Sequence, residues 1–165
     1  GVILIEAAVG AEPGEATLLA SARTPTVSTL SPEWAAQVGA TPGFAGVSWQ
    51  AGPTVPVTTL DALIARHGRP DFVKIDVEGL EPAVLAGLGQ PVPALSFEYL
   101  PTVKHLAFAC IDRLSRLGDY RYNWSEGETN RFGSAEWLGA AEIAGWLDRL
   151  GTDARSGDLY ARWQR

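Results

Sequence analysis

From Val55 onward the chain alternates short β-prone apolar runs with segments of helical period, and this rhythm constrains the fold more than any other feature. A short strand beginning at Val55 leads to a helix over Thr59–His67, with Thr58 or Thr59 placed to cap its first turn and Gly68 placed to end it. Pro70 resets the chain before a strand over Asp71–Val77 and a helix over Leu80–Leu88, whose Pro82 falls in the first turn, where a missing N–H costs little. A strand over Ala94–Tyr99 and a helix from about Val103 to Leu117 follow, the latter carrying Leu106, Cys110, Leu114 and Leu117 at helical spacing. A strand over Tyr120–Trp124, a polar loop, a helix over Ala140–Leu150 and a strand over Asp158–Trp163 close the pattern. Strands joined by helices of this length imply an α/β layered fold with a mostly parallel sheet.

The first third is less regular. Gly1–Val9, GVILIEAAV, predicts a buried strand ending at Gly10, and Glu15–Ala20 predicts a second. Ser21–Thr54 is rich in Pro, Gly, Ser and Thr, with one helical turn expected after Ser31 and Pro32. An irregular segment of this length inside a domain is more often functional or mobile than idle, the alternative being a variable surface insertion. At 165 residues and 46% hydrophobic, the chain is expected to form one globular domain over residues 1–165.

The chemistry concentrates in KIDVEGLEP, Lys74–Pro82. Alternate residues of a strand share a face, so Lys74, Asp76 and Glu78 lie opposite Val73, Ile75 and Val77. Interior parallel strands are covered on both faces and read as continuous apolar runs, so carboxylates on a central strand need solvent, a partner or a cationic ligand. In open α/β sheets ligands bind beyond the carboxyl ends of the strands, where Asp76 and Glu78 fall and where Glu98 ends the next strand. The structural alternative pairs Lys74 with Asp76 or Glu98 and leaves Glu78 to favour a helix N-terminus. From pattern alone the two weigh equally. His105, in the first turn after the Glu98 strand, is a reserve general base or an exposed helix-start residue. His67 reads as a helix C-terminal residue and the tryptophans as core or loop anchors.

Other classes are excluded or disfavoured. A net charge of −6 with scattered Lys and Arg gives no footprint for nucleic acid. No apolar run approaches the ~20 residues of a membrane span, and nothing marks an export signal, so a cytoplasmic location is expected. Cys110, the single cysteine, is expected in the core. The serine-elbow and phosphate-loop patterns GxSxG and GxxxxGK[ST] are absent.

The run VTTLDALIARHGRPDFVKIDVEGLEPAVLAGL, followed by LSFEY, preceded by EAAVGAEPGEATL and closed by GDLYARW, resembles the FkbM family of S-adenosylmethionine-dependent methyltransferases. KIDVEG with its flanks is the specific part of the match. The resemblance implies a Rossmann-like class I methyltransferase sheet whose last strand is antiparallel. It also implies methyl transfer from S-adenosylmethionine to a hydroxyl of a sugar, glycan or other small molecule. On this basis Asp76, Glu78 and Glu98 are the catalytic candidates and Lys74 and His105 bind substrate, while Ala8, Val9 and Gly10 contact the cofactor. No metal site is assigned: oxygen ligands of Asp76 and Glu98 suit Mg²⁺ or Ca²⁺, but two carboxylates are too few to define one. The family begins with a glycine-rich turn and an acidic strand end that have no counterpart before Gly1, and Ala11 stands where relatives often carry Asp. With no methionine in the chain, Gly1–Val9 is expected to be the third strand of a sheet whose first two strands are missing. The competing expectation is a noncatalytic α/β remnant or interaction module. A carboxylate-based sugar-processing enzyme using Asp76 and Glu98 is a third.

Overall fold

A computed structural model describes residues 1–127, 129 and 131–164. Seven strands and five helices follow in chain order among these residues: β1 (Ala8–Val9), β2 (Gly14–Ala20), α1 (Pro32–Gly39), β3 (Gln50–Thr58), α2 (Leu60–His67), β4 (Val73–Ile75), α3 (Glu81–Ala86), β5 (Ala94–Tyr99), α4 (Lys104–Leu117), β6 (Tyr120–Glu126), α5 (Ala140–Arg149) and β7 (Gly157–Trp163). The strands form two sheets, one in the order β1-β3-β2 and the other in the order β4-β5-β7-β6.

The α/β expectation holds, whereas the mostly parallel sheet does not. β1 pairs with β3 and β4 with β5 in parallel, but β2–β3, β5–β7 and β6–β7 are antiparallel. The reason lies in the connections. The segment between β2 and β3 brings the chain back without a crossover, and after α5 the chain returns between β5 and β6 in the reverse sense. The expected antiparallel last strand is therefore β7, reversed against both neighbours.

Two further expectations need correction. Only Ala8 and Val9 of the predicted N-terminal strand pair; Val2, Ile3 and Leu4 are 97%, 71% and 82% exposed. β4 lies at the edge of its sheet, not in its centre, with β5 as its one paired neighbour among the described residues. Ile75 is buried on one face, while Lys74 and Asp76 face solvent on the other.

The helices form where their capping chemistry permits. The hydroxyl of Thr59 accepts from the Ala62 N–H at 3.1 Å to open α2, and Gly68 ends it at φ 89°. Ser31 opens α1 in the same way through the Trp34 N–H. The main core joins Leu85 and Leu88 near α3, Leu95 and Phe97 of β5, Cys110 and Leu114 of α4, and residues of β6, α5 and β7. A smaller core under the 21–49 segment consists of Trp34, Ala35, Val38 and Val103, with Phe44 and Trp49 packed against it. Trp34 meets both of these rings edge-on, with centroids 5.4 and 6.0 Å away. The irregular segment is thus a folded wall beside the sheet.

Candidate active site

The parallel register of β4 on β5 pairs Lys74 with Ser96 and Ile75 with Phe97, which carries Asp76 to the level of Glu98. The chain then turns sharply. Glu78 has φ 52° and Gly79 φ 97°, two successive left-handed residues, and the first is unusual for a side chain with a Cβ. Three contacts grip this turn. The Val77 and Gly79 N–H groups donate to Oε1 of buried Glu81 at 3.4 and 3.2 Å, and the Thr29 hydroxyl donates to the Glu78 carbonyl at 2.6 Å. Trp34 lies against Gly79 so closely that a Cβ there would come within 2.2 Å of the ring.

The outcome is a carboxylate cluster. Oxygens of Asp76, Glu78 and Glu98 all lie within 4.8 Å of one another, close enough to share a single positively charged group. Burial pushes Glu98 up to about 8, with the charges of Glu78, Asp76, Glu81 and Asp158 adding to the shift. Burial likewise pushes Glu78 up to about 7, aided by Asp76 and Glu81. Glu81 is also held above the ordinary carboxylate range by burial, in spite of the N–H groups it accepts.

Lys74 does not neutralise the cluster alone. Its Nζ donates to Oδ1 of Asp158 at 2.5 Å and sits 3.7 Å from Asp76. Burial works against the ammonium, but the hydrogen bond and charge of Asp158 outweigh it and raise the Lys74 pKa.

The cluster opens onto two clefts. One of about 80 Å³ is lined by Lys74, Asp76, Glu98, Asp158 and the loop before β7. The other, about 600 Å³, takes Glu78 and Glu98 as its acidic floor. Val27, Pro42 and Phe44 of the 21–49 wall, with Leu100 and Pro101 after β5, give it an apolar portion, and Thr152, Asp153, Ala154 and Ser156 also line it. Every ionisable side chain lining this larger cleft is acidic.

Of the residues singled out in the sequence, the fold brings Lys74, Asp76, Glu78 and Glu98 together. His105 is exposed on α4 and lines neither cleft. Ala8, Val9 and Gly10 also line neither; Gly10 donates to the Thr58 carbonyl, and its own carbonyl abuts Gly87 after α3. The pattern missed Asp158, Glu81 and Thr29. Asp158 stands in GDLYARW at the start of a strand, and because β7 runs antiparallel to β5 that start lies level with Glu98 at the carboxyl end of β5. Glu81 and Thr29 carry no comparable signal, because their roles depend on a turn that only the folded chain displays.

A family model described as methyltransferase FkbM domain matches residues 2–104, which is more than half of the chain. The chain belongs to the FkbM methyltransferase family. No curated protein matches it. The family match covers β1 to the start of α4 and so includes Asp76, Glu78 and Glu98. Asp158, which accepts from Lys74 beside the cluster, lies outside the matched range. No helix among the described residues is long and apolar enough to cross a membrane.

Proposed function

We propose that this chain is an S-adenosylmethionine-dependent O-methyltransferase acting on a hydroxyl of a sugar, glycan or other natural product. The observation that carries the proposal is Glu98, a carboxyl pushed up to about 8 on the floor of a cleft of about 600 Å³. A general base is most effective when its pKa lies near the working pH, and an alcohol acceptor must lose its proton as the methyl is transferred. Bound S-adenosylmethionine would supply that methyl, attached to a positively charged sulfur.

The donor set suits the cationic half of such a cofactor. Three clustered carboxylates, with the adjacent ammonium of Lys74 already engaged by Asp158, favour a sulfonium or ammonium group. Contact between the adenine half and Ala8, Val9 and Gly10 rests on the family resemblance alone, since these residues line neither cleft.

Within this proposal Glu98 takes the hydroxyl proton at its carboxylate oxygen. Asp76, with a side chain 55% exposed, orients the acceptor from the rim, and Glu78 holds it from the larger cleft. Lys74 fixes Asp158 and Asp76. The apolar wall of Val27 and Phe44 would shield one side of the acceptor from water. Residues 1–165 form the C-terminal portion of a single methyltransferase domain in a cytoplasmic setting; the one core that joins Val9 and Leu60 to residues of β5, α4 and β7 supports the first part.

The test is calorimetric titration of S-adenosylmethionine into the 165-residue chain and into the longest product of its gene, followed by transfer of labelled methyl to a panel of sugars and polyols. Saturable heat and label on oxygen are expected. The placement of Ala8–Gly10 away from the clefts favours a second reading, a noncatalytic module. Absence of binding by either protein would select it.

A further inference from the structure

Thr29 is 1% exposed and lies in a segment remote in sequence from the carboxylates, yet its side chain reaches the backbone of one of them. Its position is fixed independently of that contact. The Thr29 and Leu19 backbones exchange hydrogen bonds of 3.0 and 2.7 Å, which ties Thr29 to β2. The hydroxyl then works in both directions, accepting from the Ser31 N–H at 2.9 Å and donating to the Glu78 carbonyl at 2.6 Å. Ser31 in turn caps α1 through the Trp34 N–H, and Trp34 packs on Gly79. One short relay therefore joins the wall of the larger cleft to both left-handed residues of the KIDVEG turn.

The carbonyl that Thr29 holds belongs to the residue whose conformation most needs holding. Glu78 carries a Cβ at φ 52°, a region such residues avoid unless their surroundings over-determine it. Glu81 binds the N–H groups on either side of Glu78, but the Glu78 carbonyl receives its side-chain donor from Thr29. We infer that Thr29 is a positioning residue, which keeps Glu78 in the left-handed conformation and so keeps its carboxylate in the group with Asp76 and Glu98. This rests on the methyltransferase proposal for its catalytic consequence and on the geometry alone for its structural one.

The two parts are tested separately. Nuclear magnetic resonance of Thr29→Val and Thr29→Ser, each compared with the unaltered chain, reads the backbone at Glu78 directly. A left-handed residue gives a short amide-to-Hα distance, hence a strong cross-peak within the residue. That signature is expected in the unaltered chain and in Thr29→Ser, and is expected to weaken in Thr29→Val. A general loss of stability would not single out Glu78. For methyl transfer, Thr29→Val is expected to lower kcat by about 10-fold while KM changes by less than about 2-fold, and Thr29→Ser is expected to restore kcat.

An unchanged Glu78 signature in folded Thr29→Val overturns the inference. An equal loss in Thr29→Ser and Thr29→Val does so too, because the hydroxyl would then be irrelevant. If Thr29→Val does not fold, the unaltered chain decides: a Thr29 hydroxyl proton exchanging at the solvent rate overturns the inference, and a protected one supports it. Failure to transfer methyl in the unaltered chain would count against the methyltransferase proposal and leave the backbone result standing.

Discussion

Glu98 on β5 stands directly opposite Asp158 on β7 in the antiparallel register, so two carboxylates face each other across one strand pair. Like charges in that arrangement repel. Lys74, reaching over from β4, resolves the conflict for Asp158 by hydrogen bonding to it. Among the described residues Glu98 receives no such bond, and burial together with its acidic neighbours raises its pKa.

Stability should therefore fall as the pH rises. The folded chain retains a proton on Glu98 up to about 8, whereas the unfolded chain releases it near the ordinary value of 4.5. Between those values the native state binds more protons, so each increment of pH favours unfolding. Glu98→Gln removes this contribution. Its melting temperature is expected to exceed that of the unaltered chain at pH 9 and to vary less between pH 5 and pH 9, with Glu78 still titrating near 7. Thermal denaturation across that range is the measurement, and a Gln variant no more stable at pH 9 would refute the assignment.

Activity should run the opposite way. If Glu98 accepts the hydroxyl proton, kcat/KM rises with pH as its carboxyl ionises near 8 and then levels off. In Glu98→Gln the rate is expected to fall by at least about 100-fold and to lose this limb. A variant that keeps the same profile at a modestly lower rate would move the proton acceptor elsewhere, with Asp76 the next to examine.

Lys74→Met should leave Asp158, Asp76 and Glu98 without their shared ammonium. Because the Lys74 side chain is 46% exposed, water screens part of the loss, and the expected destabilisation is about 1–2 kcal/mol. Replacing Asp158 as well, in Lys74→Met with Asp158→Asn, should recover part of it. Urea denaturation of both variants gives the comparison, and additive losses would show that the pair does not interact.

Gly79→Ala tests the turn itself. The new methyl would meet both a backbone at φ 97° and the ring of Trp34 at 2.2 Å. A loss of about 2–4 kcal/mol is expected in urea denaturation. Trp34→Ala should cost stability alone yet relieve the clash in the double variant, so the two losses should sum to more than the combined one.

Local chemistry made much of the fold legible. β5 spans the Ala94–Tyr99 expected from its apolar run, and α2 starts and stops at the Thr59 and Gly68 that mark its ends. The failures concern relations between distant segments. Val2–Ile5 is as apolar as a buried strand, but burial depends on a neighbour, and composition does not name one. The edge position of β4 is likewise a matter of pairing order, and it explains why Lys74 and Asp76 are so polar without invoking function. Glu98 is the residue that the edge cannot explain, since β5 is flanked on both sides. Asp158 escaped notice because its partner lies 84 residues away.

That separation bears on how the site comes into being. β7 docks between two strands that precede it in the chain, so the bond from Lys74 to Asp158 closes a loop of 84 residues, among the more entropically demanding events in assembling this molecule. Without β7 in place, β5 and β6 would not be joined and Glu98 would lack the neighbouring strand that helps remove it from water. The raised pKa of Glu98 therefore depends in part on β7 being docked, since that strand contributes both cover and the charge of Asp158.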